Sequence, residues 1–513
     1  MAEAKQRRDF NLSEHLEQID DLLKSGLLTK GKRVFMLGIA GISMCGLAEL
    51  ASSLGLEVAG SDPGGEKVKA ELGELGIQVF TTHERANIEA FKPDFLVYSL
   101  AVPADNPERQ AAQELGLPCL ERAVFLGALN RLYERVINIA GTNGKTTTTA
   151  LTAKLLIAAG LDPTVHLGAE LADFRGTVRI SKEPKLMVSE ACEFGGSFLS
   201  FRSTSAVILN LGHDHVDIFP EFEDVIDVFT LFCLGLERDS TLFLPNFDPA
   251  IPKLLAKVLK EQPKFLEEHQ LISYGYSAEL AERLQLPRYE LVKPDADYEI
   301  TELSYTGPFP NIKLRFPAGE IAFSLKIPGR FNVENALAAF ALAAEAGAEP
   351  EILAQEMPKF KGAEGRFTYC GDYNSCRIIA DYAHHADSLK QTIETAKLLE
   401  HQALKVYFQP ITYTRAKANA EGFFAALKEV DEANLLEVYD NREKDHNFST
   451  REISKRLQEA GVKANYFPDI QAAKEHALAN LEAGDLALFI GQNIRTVANE
   501  LAGRKDHHER PEL

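Results

Sequence analysis

The stretch that most constrains this chain is Val136–Thr149, VINIAGTNGKTTTT. A β-branched run breaks at Gly141, closes on Gly144-Lys145-Thr146 and continues into Ala150–Leu156, which reads as strand, tight loop and helix. Glycines at 141 and 144 let backbone N–H groups point inward, and the first helical turn adds the positive end of its dipole. Lys145 supplies a mobile cation for β- and γ-phosphates, and the Thr146 hydroxyl is a Mg²⁺ ligand type. Ile139 stands where the full G-x-x-x-x-G-K-T pattern has its first glycine. The plainer alternative is a glycine-rich turn with a surface lysine. Strand before, helix after and threonine following lysine favour a nucleoside triphosphate site.

A chain of 513 residues is too long for one hydrophobic core, so roughly three domains are expected. No run reaches the roughly 18 apolar residues of a membrane helix, and none is expected. Met1–Asp9 carries charges of both signs with no apolar segment behind it, which points to a cytoplasmic protein. The six cysteines are scattered without metal-type spacing and read as buried thiols. A net charge of −20 argues against nucleic acid as a partner.

Residues 1–30 read as an N-terminal helical extension, with an amphipathic helix over 13–29. Residues 31–130 form a small α/β unit. A strand at Arg33–Leu37 runs into glycines 38, 41 and 46, a helix follows from Leu47, and a strand at Glu57–Ala59 ends at Ser61-Asp62. That turn suits a diphosphate or a tight β–α connection equally, while Asp62 sits where a sugar hydroxyl is read. In residues 131–328, apolar strands at Lys185–Ser189 and Ser205–Asn210 end at Glu190 and in the stretch Asn210–Asp217. Glu190 and His215, read as following adjacent strands, are the candidates for Mg²⁺ ligation. Residues 329–513 place a helix at Ala336–Ala346 and strands at Cys376–Ala380, Leu404–Gln409, Asn434–Val438 and Asp485–Ile490, a second doubly wound pattern.

Four stretches in this order, Gly38–Gly46, Gly141–Thr148, Asp381–His385 and Phe408–Pro410 with Tyr413–Arg415, resemble the Mur ligases. These are the ATP-dependent amide-forming enzymes of peptidoglycan synthesis, and the resemblance covers about residues 31–500. It implies an α/β chain of three domains: an N-terminal Rossmann-like domain for a UDP-sugar, a central phosphate-loop ATPase-like domain on a mostly parallel sheet, and a C-terminal Rossmann-like domain. Gly38, Ala40, Gly41, Ser61, Asp62 and Ser99 would contact uridine and diphosphate. Gly141, Thr142, Asn143, Gly144, Lys145, Thr146 and Thr147 would cradle ATP, with Thr146 and Glu190 on one Mg²⁺ and His215 on a second. Asn332 and Asn335 would face the adenine side, and Arg366 with Asp381 would reach ATP. Tyr382, His384, His385 and Arg415 would lie near the incoming amino acid.

The implied substrates are UDP-N-acetylmuramate and a small amino acid, L-alanine. The lactyl carboxylate attacks ATP to give an acyl phosphate, and the amine then displaces phosphate, with His384 or a nearby carboxylate taking the amine proton. Lys145, Glu190, His215 and His384 are the implied catalytic set, in a monomer or homodimer. Phe331, Gly212, Ala380 and Ala386 depart from the family's usual residues, and Ile411 and Thr412 replace a His-Arg pair expected to recognise the acceptor. Three alternatives stand beside this one: a recycling ligase adding a tripeptide to the same sugar nucleotide, a non-catalytic nucleotide-binding scaffold, and a dinucleotide oxidoreductase. A scaffold has no need of Lys145, Thr146, Glu190, His215, Asn335 and Asp381 together, and the second, phosphate-type loop disfavours the oxidoreductase.

Overall fold

The structure is a computed structural model that describes residues 10–171, 174, 176–216, 218–439 and 447–504; Met1–Asp9 and Asp217 lie outside them. The chain divides into two compact units. The first comprises Met1–Leu211, Glu223–Tyr298 and Ala338–Leu353, and the second Gly212–Phe222, Glu299–Leu337 and Ala354–Leu513.

The first unit holds two sheets. Strands β1 (Arg33–Leu37), β2 (Glu57–Ser61), β3 (Gln78–Phe80), β4 (Phe95–Tyr98) and β5 (Cys119–Glu121) pair in the order β3-β2-β1-β4-β5, all parallel. Val34–Leu37 has no exposed surface, as expected of a strand covered on both faces. Strand order reverses between β1 and β4, so the ligand crevice of such a sheet opens beyond their C-terminal ends. There Gly38, at φ +80°, brings the chain so close to Ser99 that a Cβ would sit 3.4 Å from the serine's own.

The other sheet of this unit contains β6 (Arg135–Ala140), β7 (Thr164–Leu171), β8 (Gly176–Arg179), β9 (Leu186–Glu190), β10 (Ser205–Ile208), β11 (Thr241–Pro245) and β12 (Gln270–Tyr276). Their order is β12-β11-β10-β6-β9-β7-β8, parallel except for the β7–β8 pair. Here one expectation is corrected. β9 and β10 are not adjacent, because β6 lies between them, so their C-terminal ends flank the phosphate loop from either side.

Two glycines fit the two sheets' helices tightly together. A Cβ on Gly46, in helix Ile42–Ser53, would lie 2.5 Å from Thr177 Oγ1 on β8, and one on Gly127, in helix Arg122–Asn130, 2.2 Å from the Ser200 carbonyl. The N-terminal helix runs Leu12–Lys24, shorter than the expected 13–29, with Asn11 as its side-chain cap and Ile19 and Leu22 buried. It packs against helix Arg122–Asn130 and the 3₁₀ segment Phe194–Ser200, and His15 Nδ1 lies 2.9 Å from Ser200 Oγ.

In the second unit β13 (Tyr298–Thr306), β14 (Phe309–Phe316) and β15 (Gly319–Ser324) form an antiparallel ladder. β16 (Thr368–Tyr373), β17 (Cys376–Asp381), β18 (Leu404–Phe408), β19 (Glu432–Leu436), β20 (Lys463–Phe467) and β21 (Leu486–Ile490) pair as β16-β17-β21-β18-β19-β20, parallel except for β16–β17. β19 lies two residues earlier than its expected position. Two helices begin earlier than expected, at Ile42 instead of Leu47 and at Arg330 instead of Ala336, so Asn332 and Asn335 are helical.

Candidate functional site

In the first unit β6 delivers the phosphate loop. Gly141 and Gly144 adopt φ +132° and +87°, and Gly144 caps helix Lys145–Ala158 with no side-chain oxygen, which leaves that end open to an anion. Asn210, just past β10, staples the loop: its carbonyl and Oδ1 accept from the Thr142 and Asn143 N–H groups at 3.0 and 2.8 Å, and its Nδ2 donates to the Asn143 carbonyl. Lys145 Nζ donates to the carbonyls of Gly141 (2.5 Å) and Thr142 (3.1 Å) and to Glu193 Oε2 (2.8 Å). Burial opposes the lysine's charge, yet Glu193, Cys192 and Glu190 hold its pKa above the ordinary range. Burial, reinforced by Glu193, pushes the Cys192 thiol up to about 11, so it is inert as a nucleophile.

Thr146 Oγ1 donates to Glu190 Oε2 at 2.9 Å, and the same oxygen accepts from Gly168 N. A hydroxyl and a carboxylate at a phosphate loop form a hard oxygen set that fits Mg²⁺, which takes one or two protein ligands and completes its shell with phosphates and water. Among the described residues no group of three or more His, Cys, Asp or Glu is arranged to hold a metal by itself. Glu193 and Asn210 carried no assignment in the sequence; their positions at the ends of β9 and β10 were the available signal.

At the crevice of the five-stranded sheet, Gly38 N and Ile39 N donate to the Ser61 carbonyl, and Asp62 accepts from Ala40 N and Gly64 N. The Ser61 side chain is fully buried, donating to Glu108 Oε2 at 2.6 Å beside His83. Its hydroxyl is therefore held by Glu108 and His83, while Gly38, Ala40, Gly41, Asp62 and Ser99 follow the C-terminal ends of β1, β2 and β4.

The second unit gathers a different group. Arg415, in helix Tyr413–Ala418, donates through Nε to Asp214 Oδ1 (3.0 Å), and its Nη2 lies 2.9 Å from His215 Nδ1. His215 has φ +53°, a conformation rare outside glycine that recurs at functional sites. His384 Nε2 stands 4.0 Å from Asp214, and its Nδ1 meets the Tyr382 carbonyl. Burial and the Arg415 charge lower His384 to about 4, so the ring is neutral. Burial would raise Asp214, but His215, Arg415 and His384 hold it well below the usual carboxylate range.

His385 caps helix Ala386–Ala396 through Nδ1 and donates from Nε2 to the His213 carbonyl. Asp381 accepts from Phe367 N (2.6 Å) and Ala383 N (2.7 Å), and burial raises its pKa. The guanidinium Cζ atoms of Arg366 and Arg495 lie 5.0 and 4.9 Å from the Tyr382 ring centre. Asn332 Nδ2 donates to the Pro328 carbonyl, and Asn335 Nδ2 lies 3.4 Å from Asn332 Oδ1. The candidates thus fall into two groups: Thr146, Glu190 and Lys145 meet in the first unit, and His215, His384 and Arg415 meet in the second.

Comparison with known proteins covers nearly the whole chain. Residues 33–134 match the model of the Mur ligase family catalytic domain, 139–343 the Mur ligase middle domain and 365–493 the Mur ligase glutamate ligase domain. The chain is 32% identical over 476 residues to a UDP-N-acetylmuramate–L-alanine ligase of Alkaliphilus metalliredigens, covering 92% of this chain and 98% of that one. It is 33% identical over 463 residues to the protein of that name from Acetivibrio thermocellus, covering 90% and 93%. Among solved structures, the UDP-N-acetylmuramate-alanine ligase of Thermotoga maritima superposes with TM-score 0.74 at 24% identity, covering 92% and 98%. A murein peptide ligase of Psychrobacter arcticus superposes with TM-score 0.66 at 20% identity, covering 91% and 99%. At these identities the two structures speak to the fold.

Proposed function

Because the chain belongs to the Mur ligase family, we propose that it joins L-alanine to the lactyl carboxylate of UDP-N-acetylmuramate, converting ATP to ADP and phosphate through an acyl phosphate. The observation that carries this reading is the phosphate loop, where Lys145 and the Thr146–Glu190 pair stand together at the C-terminal ends of parallel strands. Segments 31–130, 131–328 and 329–513 then serve the UDP-sugar, ATP and the amino acid, in the cytoplasm.

Lys145 and the N–H groups of the open helix end hold the β- and γ-phosphates and stabilise charge on the transferring phosphoryl group. Thr146 and Glu190 would hold Mg²⁺, and the metal would offset charge on that phosphoryl group. Arg415 receives the α-carboxylate of alanine, a planar acceptor suited to its fork. The neutral His384 ring takes the amine proton as the nitrogen attacks the acyl carbon.

The test is phosphate release from ATP with UDP-N-acetylmuramate, comparing L-alanine, L-serine, glycine and the L-alanyl-γ-D-glutamyl-diaminopimelate tripeptide, with Lys145→Ala as control. Release that requires both the sugar nucleotide and L-alanine supports the proposal and shows that Ile411 and Thr412 are compatible with that acceptor. Release with the tripeptide alone assigns the recycling reaction instead. Absence of release with any acceptor, despite ATP binding, leaves the scaffold.

A further inference from the structure

We infer that the N-terminal segment Phe10–Lys24 is a positioning element for the phosphate loop, in which Phe10, seated on Gly196, holds the turn that aims Glu193 at Lys145. This rests on the function proposed above. Every residue in the chain of contacts belongs to the first unit. Asn11 accepts from the N–H groups of Ser13 (3.1 Å) and Glu14 (3.4 Å), which starts helix Leu12–Lys24 and fixes the direction in which Phe10 leaves it. Phe10 and Leu12 flank that cap, and each meets a glycine. A Cβ on Gly196 would lie 2.5 Å from Phe10 Cδ1, and one on Gly235, just past helix Phe222–Leu234, 3.1 Å from Leu12 Cδ1. The segment therefore seats against bare backbone at two places.

The turn under Phe10 needs an outside constraint. Gly195 and Gly196 sit at φ +65° and +74°, two consecutive residues in the left-handed region. Glycine is as free to leave that conformation as to adopt it, so the pair brings little rigidity of its own. Gly196 N donates to the Glu193 carbonyl at 2.9 Å, and Phe198 N donates to the Cys192 carbonyl at 3.2 Å. Downstream, Phe198 stacks on Phe232 with ring centres 4.6 Å apart, which anchors one side of the turn. Phe10 supplies the anchor on the other.

What the turn carries is the partner of the phosphate-loop cation. Glu193 is 2% exposed, and its Oε2 accepts from Lys145 Nζ at 2.8 Å. The ammonium's other two hydrogens go to the Gly141 and Thr142 carbonyls. A lysine stem is rich in rotamers, so its head stays over the loop only while these acceptors hold still. Phe10 thus reaches Lys145 through Gly196 and Glu193. His15, which meets Ser200 at the far end of the 3₁₀ segment, lies outside this path.

Calorimetric titration of the full-length protein with ATP and Mg²⁺ tests this. Phe10→Ala keeps the Glu193 charge but frees its aim. ATP affinity should then fall about 5-fold, the loss expected when one long side chain must be ordered on binding. Phe10→Leu, which keeps an apolar body over Gly196, should recover most of it. His15→Ala should lower the melting temperature and leave ATP affinity unchanged. In a Glu193→Gln background, Phe10→Ala should cost less than about 2-fold further, which separates aiming of Glu193 from general loosening of the unit. Wild-type ATP affinity in Phe10→Ala overturns the positioning role. So does an undiminished fall in the Glu193→Gln background, or an equal fall in His15→Ala. A wild-type protein that binds no ATP overturns the proposed function itself.

Discussion

Lys145 and Arg415 are each a cation pinned to a carboxylate, yet their surroundings differ in sign. Around Lys145 stand two carboxylates, Glu193 in contact and Glu190 nearby, so that corner carries net negative charge before any ligand arrives. Around Arg415 stand one carboxylate, Asp214, and the neutral His384 ring, which leaves that corner near balance. On the proposed function, a triphosphate would need added cations to enter the first, whereas an amino acid, carrying one charge of each sign, would match the second without them. On the proposed function, the difference fits a metal-dependent step in the first unit and recognition of a zwitterion in the second.

The largest effect should come from Lys145→Ala, which removes the phosphate cation and strands Glu193. Phosphate release at saturating substrates should fall about 100- to 1,000-fold or more. Next, Glu190→Gln should raise the Mg²⁺ concentration for half-maximal rate about 10-fold, while Asp214→Asn should leave it unchanged; matching shifts would erase the contrast between the corners. Arg415→Lys should raise the KM for alanine about 10-fold with the KM for ATP unchanged, and a rise for ATP instead would assign Arg415 to the nucleotide.

A smaller effect concerns pH. His166 and His384 both titrate near 4 in the fold and near 6.5 unfolded, so between these values the unfolded chain binds more protons. Stability should be fully present above about 6.5 and fall as pH drops toward 4, and His166→Gln should make melting temperature less sensitive to pH across that window. The smallest effect is His15→Ala. Loss of its hydrogen bond to Ser200 should cost about 1 kcal/mol and lower the melting temperature without changing any KM.

The two corners also differ in how legible they were. Lys145 and Thr146 lie beside their glycines in one short run, so local pattern alone identified the loop. Glu190 was found from the rule that apolar parallel strands deliver ligands at their C-terminal ends. That rule reached equally to Asn210, whose role as a staple depends on strand order and was hidden until β6 proved to lie between β9 and β10. Arg415 and Asp214 are 201 residues apart, and no periodicity joins them; the family resemblance brought Arg415 forward, while Asp214 emerged from the fold. Ser61 lay at the expected strand end, but the direction of its side chain was set by Glu108 and His83, 47 and 22 residues away. Secondary structure follows local preference, whereas side-chain partnership follows tertiary arrangement.

The glycines at 46 and 127 have a kinetic consequence. Each permits backbone and side chain of one layer to seat against the other at a distance that any larger residue would prevent. On the proposed function, a sugar nucleotide captured at the five-stranded sheet would already be a neighbour of the phosphate loop, with no second diffusional search. Its carboxylate would then meet the nucleotide at a local concentration set by the tether between them, independent of how dilute the cell keeps the free sugar.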